Sequence, residues 1–569
     1  AKICFISAIL LVPFAYYYWL PLAISIPSVD LPFQERMVSI NGVDVPFQGG
    51  IVYPSFETQN TTDLEVSGGA RYSLNLSGEW KWKHTSESYP DYNLLMRTPA
   101  IMDLFTRDGI HMANYDDSGW GNINIPRPNC FPYWEGTPDD SRYGTFWYRR
   151  AFDVPSVMAD HQLILKFYGG GYLMDVGING SYVGYHEITQ NGFVFDVTDN
   201  IEPGKQHVIA IRVVDTNFGV ESDSAFRTKR IPPSGDNFVY GGLTREIWLE
   251  ALPVASIIRT DVKMIDYETE DHQTGNATVQ ANVVISCPQN HALSGSTADL
   301  RLTMYPLVFQ NSWVFDNNTH FDEIYSENLT SFRNTWEFAN FSENVMTPLH
   351  EQITLTGDSL TNYTVHQFTF DLVDIDLWST KKPSLYAVFV NLTTSEYEDS
   401  FCTQTGFRHF TTQGKKFMLN GAEVKLPGVA FHEEMWDPYG SSVRDWQMIY
   451  KLMRIKAVNA NFIRMGQYPM HPNWYLFGER MGFAMWAEEP LTWLNEIHFT
   501  TMLSRDAVDP LLIQLMYPNI NRPGILFWGG PNEPWAGDDF KKVVDLSNEF
   551  VMQYDGTRLY SFAAVLIPQ

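Results

Sequence analysis

Apolar and polar residues alternate in short runs through the first half of the chain. Tyr72–Trp82 has the period of two of a half-buried strand, and Thr145–Phe152, Gln162–Phe167, Leu173–Ile178, Gly192–Val197, His207–Val214 and Thr244–Leu249 follow, separated by Gly, Asn and Asp. Many short strands with turn signals predict a β-sandwich over 70–255. Inside it, Asn179-Gly180 predicts a type I′ hairpin turn. Over 256–410 the runs Ile257–Ile265, Ala277–Ile285, Ser296–Met304, Thr364–Leu372 and Leu385–Leu392 predict a second, smaller sandwich, with a polar, Asn-rich loop at 306–350. Beyond 410 the period changes. A hairpin at Phe417–Leu426 precedes strands at Asn461–Arg464, Gly482–Trp486 and Ile525–Trp528, which alternate with helices at Arg444–Ala457, 473–480 and Ala507–Met516. That succession predicts βα units and a parallel sheet or barrel, with four such strands counted from Lys425 and Leu559–Val565 beginning a fifth. The segment 411–569 is short of the roughly 250 residues of an eight-stranded barrel.

The amino terminus differs from everything after it. Ile3 to Val29 carries no charged side chain, and Phe5–Ile24 is long enough to cross a bilayer, although Pro13 and Pro21 interrupt it. Residues 1–29 are therefore expected to be a secretory signal or membrane anchor, the alternative being a buried strand pair. Residues 30–69 form a Pro/Gly-rich, irregular lead-in. With 39 Lys and Arg against 66 Asp and Glu, the net charge of -27 excludes a phosphate backbone as partner, and no nucleic acid is expected. Four cysteines, Cys4, Cys130, Cys287 and Cys402, are too few for a disulfide scaffold; a Cys287–Cys402 bridge stays open, and no pair has metal-ligand spacing. Glycosylation triplets occur at Asn60, Asn75, Asn179, Asn276, Asn317, Asn328, Asn340, Asn362 and Asn391, most of them in the middle of the chain. With the apolar start they favour an extracellular or endomembrane-lumenal protein, membrane-anchored through residues 3–29 if that segment is retained. Association with further copies of the chain is left open.

The stretch Asn521-Arg-Pro-Gly-Ile-Leu-Phe-Trp-Gly-Gly-Pro-Asn-Glu-Pro-Trp535 is the strongest candidate for chemistry. A short apolar run ends at two glycines and a proline, and Asn532 and Glu533 come next, as when a buried strand delivers an acid to the rim of an α/β barrel. A carboxylic acid among tryptophans suits sugar chemistry, in which ring faces stack on aromatics and the acid protonates a glycosidic oxygen. An ordinary loop before proline is the plainer alternative. Asp236 and Arg245 flank a glycine pair among aromatics, which suits a sugar contact at a domain boundary, although joining domains is the commoner job for an arginine so placed.

Several motifs resemble glycoside hydrolase family 2, which holds β-galactosidases, β-glucuronidases and β-mannosidases. Asp116-Asp-Ser-Gly-Trp120, Phe146-Trp-Tyr-Arg-Arg-Ala-Phe-Asp-Val-Pro155, Ile178-Asn-Gly-Ser-Tyr-Val-Gly-Tyr-His186 and Gly241-Gly-Leu-Thr-Arg-Glu-Ile-Trp-Leu249 resemble its sugar-binding jelly roll. Pro383-Ser-Leu-Tyr386 and Gly406-Phe-Arg408 resemble its immunoglobulin-like sandwich, and Gly428-Val-Ala-Phe-His432, Asn461-Phe-Ile-Arg464 and Gly482-Phe-Ala-Met-Trp-Ala-Glu488 its catalytic barrel. The resemblance implies three domains: a jelly roll over 70–255, an immunoglobulin-like sandwich over 256–410, and over 411–569 the first half of a (β/α)8 TIM-type barrel whose C-terminal half is absent from this chain.

It also implies an exo-acting retaining β-glycosidase working on terminal sugars of glycans. Glu533 would be the general acid/base and Asn532 would bond the sugar 2-hydroxyl, with His432, Arg464, Gln467, Asp236, Glu488 and Trp535 as further substrate-binding positions. Position 467 is usually histidine in the family, and glutamine there keeps a hydrogen bond but not a positive charge. The nucleophile is a glutamate near the seventh strand of the family's barrel, and no residue of this chain matches it. Glu488 and Glu489 are alternative acids, for which electrostatic support or a sugar contact is the plainer role. Some galactosidases of the family hold Mg²⁺ beside the acid/base, but Pro490-Leu-Thr-Trp-Leu does not reproduce those ligands, so no metal or cofactor is expected. A non-catalytic glycan-binding or structural protein of the same descent is the second reading.

Overall fold

The computed structural model describes residues 37–40, 43–46, 64–67, 71–85, 105–128, 144–171, 173–187, 192–215, 241–289, 291–309, 336–338, 345–356, 363–434, 440–504, 508–535 and 537–563. Residues 1–29, Asp236, Cys4, Cys130 and the triplets at Asn60, Asn317, Asn328, Asn340 and Asn362 lie outside them. Among the described residues no helix is long and apolar enough to cross a membrane.

The chain folds into a jelly-roll sandwich, an immunoglobulin-like sandwich and a partial (β/α) barrel. In the first, a six-stranded sheet ordered Ser181–Glu187, Leu173–Ile178, Gln206–Asp215, Gly144–Asp153, Gly78–Thr85, Gly121–Ile125 faces a five-stranded one ordered Phe193–Asp196, His161–Phe167, Ile247–Pro253, Arg71–Asn75, Leu64–Ser67. Inward positions such as Trp80, Phe146, Tyr148, Leu165, Val176, Ile211 and Leu249 fill the space between them. The alternating run Tyr72–Trp82 is not one strand: it leaves one sheet after Asn75 and enters the other at Gly78, whose φ is +110°. A period of two persists through such a crossing, so the pattern alone does not mark it. Asn179 and Gly180 have φ of +52° and +92° and close a hairpin with Ile178 opposite Ser181, as a type I′ turn requires.

The second sandwich packs Ser256–Glu268, Thr274–Ser286 and Tyr363–Asp376 against a sheet built on Thr297–Phe309, Leu385–Thr393 and Glu398–Thr405. The last strand escapes a periodicity reading because much of what it buries is polar. Asp399, Thr403 and Gln404 are all buried, and each meets a partner from another domain. Neither Cys287 nor Cys402 is in a disulfide. Cys287 sits in the sandwich core while Cys402 packs on a different cluster, beneath the barrel, so a bridge between them is ruled out.

The barrel portion has five parallel strands in sequence order: β1 (Gly428–Phe431), β2 (Phe462–Met465), β3 (Ala484–Glu488), β4 (Ile525–Asn532) and β5 (Leu559–Ala563). The connections are α1 (Asp445–Ala457), α2 (Pro472–Arg480), α3 (Glu496–Ser504) with α4 (Val508–Met516), and α5 (Asp538–Tyr554). Helix α3 was not legible in the sequence, because its apolar residues do not repeat along one face. One face of the sheet, with Ile463, Met465, Met485 and Trp528, packs on the helices. The other carries Phe462, Trp486 and Phe527; the first two pack on Phe527, which meets Phe410 and Phe417 of a three-stranded antiparallel sheet (Phe410–Gln413, Lys416–Leu419, Ala422–Val424) flooring the barrel. Trp528 is thus core: it is fully buried, and its indole donates to Asp555 at 2.6 Å.

Buried polar pairs join the domains. Arg71 of the jelly roll makes a two-pronged bond to Asp399 of the second sandwich, at 2.5 and 2.6 Å. Arg245 reaches from the jelly roll to Glu433 after β1 at 2.6 Å and to the Pro469 carbonyl at 3.0 Å. Joining domains is therefore what Arg245 does.

Candidate active site

Strand β4 is buried along its whole length. Two consecutive glycines let it run between large neighbours: a Cβ at position 529 would collide with the Trp486 indole nitrogen, and one at 530 with the Tyr560 hydroxyl. After Pro531 the strand ends in Asn532, and the loop following β3 runs beside that end. The Asn532 N–H donates to the Leu491 carbonyl at 2.7 Å, and its own carbonyl accepts from Trp493 N–H at 3.0 Å.

Arg464, near the end of β2, ties three strands together. Its Nε and Nη2 donate to Glu488 of β3 at 2.9 and 2.7 Å, and Nη2 also donates to Asn532 Oδ1 at 2.6 Å. A fork of this kind suits a planar guanidinium, and it leaves the fully buried Glu488 charge compensated. With its oxygen taken by Arg464, Asn532 turns its Nδ2 donor elsewhere. That nitrogen is buried and bonds no described residue, although Asn532 is only 1% exposed. Gln467 is buried beside this group, its Oε1 accepting from the Thr492 hydroxyl at 3.3 Å.

Glu533 follows at a φ of +48°, with its N–H donating to the Ala563 carbonyl of β5 at 2.7 Å. One carboxylate oxygen accepts from the Trp493 indole at 2.7 Å, which fixes the direction of the half-buried acid. That indole is 43% exposed, and Trp535, two residues beyond the acid, is 63% exposed. The structure brings Arg464, Gln467, Glu488, Asn532 and Glu533 together at the C-terminal ends of β2 to β4. His432 follows β1, three strands from Glu533, and stacks on Tyr468 with ring centroids 6.1 Å apart. Sequence reading passed over Trp493 and Thr492, which lie in a loop with no periodicity; their only signal was position directly after a strand that ends in acids.

Glu489 is 1% exposed. Burial, and then the neighbouring Glu488 charge, push its carboxyl up to about 8. A carboxyl raised in the folded state gives stability that is fully present below its ordinary value of about 4.5 and is lost as pH rises through about 8. Glu489→Gln should therefore gain melting temperature relative to the parent between pH 5 and 9, with the two nearly level at the acid end. Parallel melting curves across that range would show that Glu489 does not titrate there. No group of three His, Cys, Asp or Glu that could hold a metal ion occurs among the described residues.

Two family models match the chain. The "Glycosyl hydrolases family 2, sugar binding domain" covers residues 76–253, and the "Glycosyl hydrolases family 2, TIM barrel domain" covers 410–568. The chain belongs to glycosyl hydrolase family 2. The first family 2 model spans the jelly roll, and the second spans the floor sheet and β1 to β5. Among similar proteins, a putative beta-glucuronidase of Formosa agariphila is 26% identical over 77% of this chain and 46% of its own length. A beta-glucuronidase of Bacteroides fragilis is 24% identical over 74% of this chain and 54% of its own. The structure of Bacteroides uniformis beta-glucuronidase 2, covalently bound to cyclophellitol-6-carboxylate aziridine, superposes with a TM-score of 0.65 at 20% identity, covering 86% of this chain and 52% of that one. The chain thus spans about half the length of each of these relatives.

Proposed function

We propose that this chain carries the sugar-recognition and acid/base half of an exo-acting retaining β-glycosidase that removes terminal β-linked sugars from glycans. The observation that supports it most is the Asn532–Glu533 pair at the end of β4, with Arg464 holding the asparagine oxygen and leaving its buried Nδ2 free for a sugar hydroxyl. Glu533 would protonate the glycosidic oxygen as the aglycone departs, then take a proton from the water that attacks the anomeric carbon. The partner in this double displacement is a carboxylate about 5–5.5 Å away, which forms and then releases the glycosyl-enzyme. We assign it to the strands that complete the barrel, because both oxygens of Glu488 are held by Arg464. Gln467 would contact a sugar hydroxyl, Trp535 would offer a ring face at the rim, and His432 and Asp236 remain proposed contacts of the wider pocket.

The test is a panel of 4-nitrophenyl β-glycosides, with glucuronide and galactoside first because similar proteins are named beta-glucuronidases and beta-galactosidases, and mannoside next. Proton NMR of the first product should show the β-anomer, as net retention requires. An initial α-anomer would exclude the double displacement. Folded protein that binds glycans and hydrolyses none of the panel would favour the glycan-binding reading instead.

A further inference from the structure

A small cleft lies at the other end of the barrel from Glu533, between the immunoglobulin-like sandwich and the segments that lead into β4 and β5. Lys263 and Arg408 enter it from the sandwich side, and Asp555, Thr557 and Arg558 from the turn before β5. Strand β4 separates it from the acid by eight residues at about 3.3 Å each, roughly 25 Å. The cleft is therefore independent of the proposed glycosidase chemistry.

Its charges do not balance. Among the described residues Asp555 is the one carboxylate lining it, and four donors already use that group. The Thr557 N–H and hydroxyl reach Oδ1 at 3.2 and 2.5 Å, and the Trp528 indole and Arg558 reach Oδ2 at 2.6 and 2.8 Å. Arg408 is buried and spends its donors on the carbonyls of Pro523, Thr557 and Ile525, each at 3.2 Å. Carbonyl oxygens satisfy a guanidinium's hydrogen bonds without cancelling its charge. Burial and the nearby Arg558 push Arg408 down to about 9, as expected of a cation short of a counter-charge. Lys263 makes no hydrogen bond to a described residue, and its ammonium is shifted down by burial, against the pull of Asp555. Three cations thus face one occupied carboxylate, in a chain whose overall charge is -27.

We propose that this cleft binds a compact oxyanion, of the phosphate, sulfate or carboxylate class, with Lys263 as its direct ligand and Arg408 and Arg558 as its electrostatic surround. The anion would lie where sandwich and barrel meet, and would hold them together more firmly than the protein's own groups do.

Isothermal titration of the whole protein with sodium phosphate, sulfate and acetate tests this, at an ionic strength kept constant with NaCl, beside Lys263→Met and the exposed-site control Lys425→Met. A saturable isotherm is expected for the parent and the control, weakened at least tenfold in Lys263→Met. Phosphorus NMR line broadening of phosphate gives a second reading that does not depend on melting behaviour. Preference for phosphate or sulfate would identify a free inorganic or sugar-borne anion, and preference for acetate a carboxylate. No saturable binding of any of the three, or equal binding by the parent and Lys263→Met, would overturn the proposal.

Discussion

Glu533→Gln in the active protein is expected to lower kcat/KM on alkyl β-glycosides by roughly 10²–10⁴-fold, the usual worth of a positioned general acid/base. The loss should depend on the leaving group. A dinitrophenolate departs without a proton, so glycosylation of the enzyme from a 2,4-dinitrophenyl glycoside should be little affected. The second step would still lack its base and become limiting, which should appear as a burst of dinitrophenol followed by a slow steady state. Added azide, a nucleophile that needs no deprotonation, should then speed turnover and yield the β-glycosyl azide. A uniform loss on all leaving groups, without a burst or azide rescue, would mean that Glu533 holds the site together and does not transfer the proton. The glutamine keeps the volume and an acceptor for the Trp493 indole, which bonds Glu533 at 2.7 Å, so the local geometry should survive.

Arg464→Met should have the largest effect on stability. The substitution keeps much of the stem but removes both prongs from Glu488, whose side chain is 0% exposed, and the bond that orients Asn532. Removing one partner of a buried ion pair costs about 3–5 kcal/mol, because the survivor keeps its desolvation penalty. The urea midpoint should fall accordingly. Adding Glu488→Gln to Arg464→Met should recover part of the loss, since a neutral amide is cheaper to bury than an unpaired carboxylate. Arg464→Lys should be intermediate, one ammonium being a poor substitute for a fork that spans Glu488 and Asn532. An unchanged midpoint in Arg464→Met would show that water or another cation compensates Glu488.

Much of the architecture was legible because most strands bury one face of aliphatic and aromatic residues. Leu173–Ile178 was read to the residue, and the barrel strands to within a few. Failures arose where burial is not apolar. Glu398–Thr405 went unread since its buried Asp399, Thr403 and Gln404 serve domain junctions, and the strand read at Thr244–Leu249 begins only at Ile247 because Arg245 and Glu246 reach across to Glu433 and His471. At the site, the sequence order put Asn532 and Glu533 at a strand end. It offered no means of seeing that the loop after β3 folds back alongside β4, which is what sets Trp493 against the acid.

The charged pairs that join the domains also limit how such a chain can be recombined. Arg71 and Asp399 are 328 positions apart in sequence, and Arg245 and Glu433 are separated by 188, yet each pair is closed off from water. A jelly roll borrowed from another protein would bring one half of each pair and strand the other. Domain shuffling, in evolution or in the laboratory, would therefore have to carry both members across together or replace both with apolar residues.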